Sequence, residues 1–310
     1  MEQLKVDFFV IGAARSGTTS LYNYLKQHPM VFLPNIKELN FFSEVTSNDP
    51  EEYEPPHRGR HYHTKIIQAL DTYQGLFEAA ESKQLKGDIS PSYLWEPETA
   101  NRIWKHNPNA KIIVTLRNPV KRAYSHYQMN YSVGYERNKT FEKALKAPSE
   151  RVWSGGNLYL EWSSYYAPLK AYYQKFNREN ILVLVFEEWV AQREQTMNRI
   201  FDFLGIQPHS VDITEEHNKK VTYKNIKVLN ALRTRFIKKI VSSVVSQKIK
   251  DRWKERLFAA EDVKTSIDPF LKKELEGFFL EEVLKLEGLT QLPLSKLWEF
   301  NKAHHDQPST

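Results

Sequence analysis

The chain has 310 residues, is 41% hydrophobic, contains no cysteine and carries a formal net charge of +6. That length and apolar share allow one large α/β domain or two small ones and argue against global disorder. The lack of cysteine excludes disulfides, thiolate-bound zinc and thiol catalysis, and fits a reducing compartment. No run approaches the roughly 18 apolar residues of a membrane-spanning helix. No apolar leader with a cleavage site follows the first residues, so a cytoplasmic location is expected.

The first element is the apolar run Phe8, Phe9, Val10, Ile11, which reads as a buried strand ending at Gly12. Gly17, Thr18 and Thr19 follow after a short loop, and then a helical pattern puts Leu21, Tyr24 and Leu25 on one face. A strand, a glycine-bracketed loop and a helix form a phosphate cradle, because N–H groups and the helix dipole converge on an anion there. The spacing of Gly12 and Gly17 matches a nucleotide P-loop, but Thr18 stands where that motif needs lysine. The loop carries its cation at Arg15 instead.

A second strand is expected over 30–34, closed by Pro34, and then a polar loop over 44–64 near the mouth of a site. A helix is expected over 66–80 and a strand-like stretch over 86–95 that breaks at Pro91. Residues 110–116 form a buried strand, and Pro119 opens a helix running through Tyr131. Short helices follow at 141–145 and 165–176, a buried strand at 181–186, and a helix at 192–204 that stops at Gly205. This alternation predicts an α/β fold with a central parallel sheet flanked by crossover helices. The C-terminal part, from about 224, reads as helical, with a terminal helix over 271–286 and a polar tail. One domain over 1–310 is expected, with its core at 6–205 and a helical extension at 224–300. His61 and His63 are close, but no third ligand follows at metal spacing, and no metal is expected.

The strand at 110–116 ends in Arg117, followed by Lys121, Arg122 and Ser125. Ligands of open α/β sheets sit beyond the carboxyl ends of the strands, where the first loop also lies. An arginine fork with a serine hydroxyl suits a terminal phosphate. Read alone, Arg117 caps a sheet and the following helix has a solvated basic face. Together, two anion sites at two strand ends imply a ligand with two separated phosphates.

The segments ARSGTTSLYNYLKQHP and KIIVTLRNPVKRAYSHY resemble the sulfotransferases that use 3′-phosphoadenosine 5′-phosphosulfate (PAPS), most closely their bacterial and heparan-sulfate-type branch. KELNFF at 37–42, GDISPSYLW at 87–95, TFEKAL at 140–145 and NILVLVFEEW at 180–189 agree in order, so the resemblance covers about 6–205, and weakly LKLEGLTQLPLSKLW at 284–298. It implies PAPS as co-substrate, no metal, and an acceptor hydroxyl or amine on a carbohydrate, lipid or small molecule. It implies that Ser16, Gly17, Thr18 and Thr19 wrap the 5′-phosphate, and that Arg117 and Ser125 hold the 3′-phosphate. Arg15 falls where many members carry a catalytic lysine; as a permanent cation it suits charge stabilisation better than proton donation. Glu38 matches the base that takes the acceptor proton. Asp88 is a second candidate for acceptor binding, or an alternative base, or else it orients Arg15 or a loop. Its neighbour Ile89 stands where the heparan-sulfate branch has lysine. Lys219 and Lys220 are candidates for a basic loop closing over the donor.

Residues 219–256 hold about thirteen Lys and Arg against two acids, with Ile226, Leu229, Leu232, Phe236 and Ile240 at helical spacing. A basic amphipathic helix over 224–256 can pack with a solvated face, cover an anionic acceptor, or make a peripheral membrane contact. Nucleic acid is not expected as a partner, since no series of stacking aromatics accompanies the charge. Two other classes compete with the transferase reading. A P-loop kinase or NTPase is disfavoured by Thr18 and by the lack of a strand-ending Walker B acid. The other is a non-catalytic basic adaptor that binds a nucleotide or a membrane.

Overall fold

Phe8 to Gly12 form β1, buried along its whole length. A strand with no exposed side must lie in the middle of a sheet covered on both faces. In the structure, a computed structural model, it does. The described residues are 4–43, 67, 69–95, 97–132, 136, 138–147, 158–214 and 266–300. Among them β2 (Val31–Phe32), β3 (Leu85–Ile89), β4 (Lys111–Leu116) and β5 (Ile181–Val185) join β1 in the order β2-β3-β1-β4-β5. Every pairing is parallel, with Phe9 opposite both Asp88 and Ile112, and Thr115 opposite Leu184.

The period-two alternation of these strands sorts the core into two layers. Phe8, Val10, Ile113, Leu182 and Leu184 face α1 (Thr18–Leu25) and the later helices α7 (Phe186–Ala191) and α8 (Arg193–Leu204). Phe9, Ile11, Ile112, Val114 and Val183 face the other way. That layer contains α2 (Leu70–Gly75), α3 (Pro97–His106), α4 (Pro119–Ser132), α5 (Phe141–Lys146) and α6 (Tyr166–Lys175). It also contains α9 (Pro269–Thr290) and α10 (Leu294–Leu297), whose Leu275, Phe279, Val283, Leu286 and Leu294 are buried in the same cluster.

Several expected elements change extent. The strand expected at 30–34 is two residues long, because Pro34 ends it. The helix expected at 66–80 is confined to Leu70–Gly75 among the described residues. The strand-like stretch at 86–95 splits at Ser90 into β3 and a 3-10 turn over Pro91–Leu94, since proline cannot donate to the ladder. The terminal helix runs longer than 271–286: Asp268 caps it by accepting from the N–H groups of Phe270 and Leu271, and Gln291 ends it in a left-handed conformation. The helices α3 and α7 were not expected. The stop at Gly205, with φ 75°, is as expected. The loop at 44–64, His61, His63, Lys219, Lys220 and the basic stretch 224–256 lie outside the described residues.

Because β4 lies beside β1, the loops that follow these two strands are neighbours. The sheet itself requires a close approach at Gly87. A Cβ there would sit 2.2 Å from Cζ of Phe8, its partner in the β1–β3 pairing. Gly87→Ala is therefore expected to cost about 2 kcal/mol by overpacking, read as a lowered urea midpoint. An unchanged midpoint would show that the Phe8 ring yields freely.

Candidate active site

The loop between β1 and α1 turns sharply. Arg15 has φ 68° and Gly17 has φ 84°. A Cβ at Gly17 would lie 2.2 Å from Cζ2 of Trp189, so position 17 requires glycine for both conformation and space. The loop is pinned to β4: Ala13 N donates to Thr115 O at 2.8 Å, and Thr115 Oγ1 donates to Ser16 O at 3.1 Å. Gly17 caps α1 without a side chain, and the first turn holds no acidic residue. The N–H groups that open a helix have no partner within it, so this end is free to bind an anion. Thr18 and Thr19 begin the helix, and the buried Ser16 Oγ has no hydrogen-bond partner.

Arg117 projects from the end of β4 into the same region. Its Nη1 donates to Arg15 O at 2.8 Å, its guanidinium lies 4.6 Å from the centre of the Phe186 ring, and its buried Nε has no partner. Ser125, on α4, accepts from Arg15 Nε at 3.4 Å, while Arg15 Nη1 donates to Met129 Sδ at 3.3 Å. The cation of the first motif thus reaches the hydroxyl of the second.

Arg122 departs from the solvated basic face that α4 suggests when its segment is read alone. It is 0% exposed; Nε donates to Ser163 Oγ and Nη2 to Tyr159 O, both at 2.7 Å, and Nη1 has no partner. Burial, and then repulsion from Arg117, brings the Arg15 guanidinium down to about 10. Burial brings Arg122 down to about 10 as well, and it lowers Arg117 against the pull of Glu187. Neutral pH leaves such groups charged. None of the three has an ion-pair partner among the described residues. Three neighbouring cations, two of them (Arg117 and Arg122) with an unmet buried donor, fit a polyanionic ligand better than any protein partner nearby.

Glu38 stands beside this positive region. Its charge acts on Arg15, it is ion-paired with Lys37, and its side chain is 36% exposed. Its φ is 64°, and its N–H donates to Ile89 O at 3.2 Å. Asp88, expected at the acceptor, lies beneath this turn and is 1% exposed. It accepts from Ser90 Oγ at 2.6 Å, Tyr93 OH at 2.7 Å and Tyr73 OH at 3.0 Å. Burial pushes its carboxyl up to about 6, against the opposing effect of these hydroxyls. The structure therefore brings together Arg15, Ser16, Gly17, Thr18, Thr19, Arg117, Ser125 and Glu38, with Asp88 a layer below.

Two participants went unread in the sequence besides Arg122. Glu187 accepts from Asn118 N at 3.2 Å and from Trp298 Nε1 at 3.1 Å, and Asn118 Nδ2 donates to Trp298 O at 3.2 Å. The C-terminal segment is thereby tied to the residue after Arg117. The motif at 180–189 holds Glu187, an acid just past a strand end, and Trp298 closes the C-terminal stretch LKLEGLTQLPLSKLW. No group of three or more His, Cys, Asp or Glu suited to a metal occurs among the described residues. No helix among them is long and apolar enough to cross a membrane.

A family model described as "Sulfotransferase family" matches residues 7–210. The membrane-associated sulfotransferase kil1 of Dictyostelium discoideum is 34% identical over 135 residues, which is 43% of this chain and 25% of that protein. Carbohydrate sulfotransferase 15 of Homo sapiens is 27% identical over 248 residues, covering 66% of this chain and 44% of that one. The chain thus spans between a quarter and less than half of the length of these curated relatives. The crystal structure of a sulfotransferase from Alicyclobacillus acidocaldarius superposes with a TM-score of 0.69 at 27% identity, covering 96% of this chain and 99% of that one.

The environment of Asp88 makes stability depend on pH in a definite direction. Its folded value of about 6 exceeds the ordinary 3.8, so the folded protein holds this proton more tightly than the unfolded chain does. The resulting stabilisation is complete below about 4 and is lost as pH rises toward 6. Compared with Asp88→Asn, the wild type should be more stable at pH 4 than at pH 7 by as much as about 3 kcal/mol. Urea unfolding of both proteins across this range checks it. A pH-independent difference would mean that the three hydroxyls keep Asp88 ionised throughout.

Proposed function

This chain belongs to the sulfotransferase family, and on that premise we propose that it moves a sulfuryl group from PAPS to an acceptor hydroxyl or amine, releasing 3′-phosphoadenosine 5′-phosphate (PAP). The supporting observation is the cluster of Arg15, Arg117 and Arg122, which has no ion-pair partner among the described residues at the carboxyl ends of two adjacent strands. A donor with two separated phosphates supplies the missing negative charge at both ends. The N–H groups opening α1, with the hydroxyls of Ser16, Thr18 and Thr19, take the 5′ end. Arg117 and Ser125 take the 3′-phosphate.

Arg15 reaches between the two sites. In the transfer step the acceptor oxygen or nitrogen bonds to sulfur while the bond from sulfur to the 5′-phosphate oxygen breaks. The electron pair of that bond stays on the phosphate, and the acceptor proton passes to Glu38. Arg15 and the loop N–H groups stabilise the charge growing on the departing oxygen. The name of the human relative directs the acceptor search first to carbohydrates. The same reading takes α9 and α10, which share the core layer of the sheet, as part of one catalytic domain.

Transfer of radiolabel from [35S]PAPS onto a panel of desulfated polysaccharides, amines and lipid alcohols tests the reaction. Arg117→Ala should weaken PAP binding by about 100-fold, the loss of about 3 kcal/mol in charge-assisted hydrogen bonds. Glu38→Gln should leave PAP affinity intact and lower turnover by about 10²- to 10⁴-fold. Full turnover by Glu38→Gln would remove the base assignment. Unaltered PAP affinity in Arg117→Ala would remove the phosphate assignment.

A further inference from the structure

Glu38 and Asn40 both hold left-handed backbone conformations, with φ of 64° and 53°. Asparagine tolerates such geometry, but for glutamate it is unfavourable and persists when surrounding bonds impose it. Here the imposing bonds lead to one buried carboxylate. Asp88 Oδ1 accepts the Ser90 hydroxyl proton at 2.6 Å, which leaves the Ser90 oxygen turned to accept from Asn40 N at 3.1 Å. Asn40 Nδ2 then donates to Glu38 O at 2.9 Å, and Asn40 Oδ1 accepts from Ser92 Oγ at 2.6 Å. The neighbouring Ile89 O accepts from Glu38 N. Tyr73 and Tyr93 fill the second oxygen of Asp88. The turn carrying Glu38 is thus bonded to the end of β3 at Ile89, Ser90 and Ser92, and Asp88 orients the middle one.

We infer that Asp88 is a positioning residue, which acts through Ser90 and Asn40 to hold the Glu38 turn against the donor site and touches neither donor nor acceptor. This rests on the reading of Glu38 as base. At 1% exposure, with both oxygens occupied by hydroxyl donors, Asp88 has no free face to offer an acceptor. A carboxylate suits the task because it only accepts, so the Ser90 proton has one place to go. Asn40 and Ser90 are themselves 1% and 0% exposed, which makes the link hard for water to replace.

The test uses Asp88→Asn and Ser90→Ala, each alone and combined with Glu38→Gln. A displaced base loses turnover rather than donor affinity. Each single variant should lower kcat by about tenfold to a hundredfold, while PAP affinity and melting temperature at neutral pH stay close to wild type. Neither should lower kcat further in the Glu38→Gln background, since both act through Glu38. Independent, multiplying losses would overturn the proposal. So would full activity in Ser90→Ala alongside a defective Asp88→Asn, which would mean that Asp88 acts directly. Hydrogen exchange supplies a readout that needs no acceptor. The Asn40 amide should exchange at least about tenfold faster in Ser90→Ala, the loss of about 1.4 kcal/mol of protection, with β1 unchanged. Unchanged exchange at Asn40 would overturn the link even if the donor were not PAPS. Faster exchange in a protein that binds no PAP would leave the link standing and reject the transferase reading alone. If Asp88→Asn does not fold, Ser90→Ala decides the matter.

Discussion

The constraint on which the rest of this structure depends is electrostatic. Three guanidiniums, those of Arg15, Arg117 and Arg122, are held at the carboxyl ends of β1 and β4 with no ion-pair partner among the described residues. Buried like charges raise the energy of the folded state, and only partial relief comes from Glu38 and Glu187. Such an arrangement carries a cost by itself and becomes favourable when a polyanion binds. The unmet donors of Ser16, Arg117 and Arg122 mark the same region from the hydrogen-bonding side.

The fold supplies the means of holding these charges. The strand order places β1 between β3 and β4, so that one neighbour brings Arg117 and the helix of Ser125 and the other brings the turn of Glu38. Thr115 locks the first loop onto β4, and Trp189 fills the space that glycine leaves at position 17. From the far end of the chain, Trp298 binds Asn118 and Glu187, which brackets Arg117. Glu187 thereby serves the C-terminal segment and the arginine together. It moderates the Arg117 charge without forming the ion pair that would compete with a phosphate.

What could be read in the sequence follows the range of the interactions involved. The cradle was legible because its parts lie within twelve residues, and glycine, arginine and threonine have few other reasons to cluster after an apolar strand. Arg117 and Ser125 were legible once a strand end placed them beside that loop. Arg122 was not, because spacing within a helix does not reveal burial. Its partners Ser163 and Tyr159 lie 41 and 37 residues away. Asp88 was singled out as an acid in the right motif, but its surroundings depend on Tyr73 and on the turn at Asn40, which no local pattern announces. Among the elements, α3 escaped notice because its apolar face is narrow. The full extent of α9 depended on the Asp268 cap.

The central claim is that the arginine cluster and the α1 cradle together bind two separated phosphates. Calorimetric titration with PAP and with adenosine 5′-phosphate, which lacks the 3′-phosphate, tests it most directly. The account predicts tight binding of PAP and at least about a hundredfold weaker binding of the monophosphate, a difference of about 2.7 kcal/mol. Equal affinity for the two nucleotides would contradict it, because Arg117 and Ser125 would then hold no phosphate.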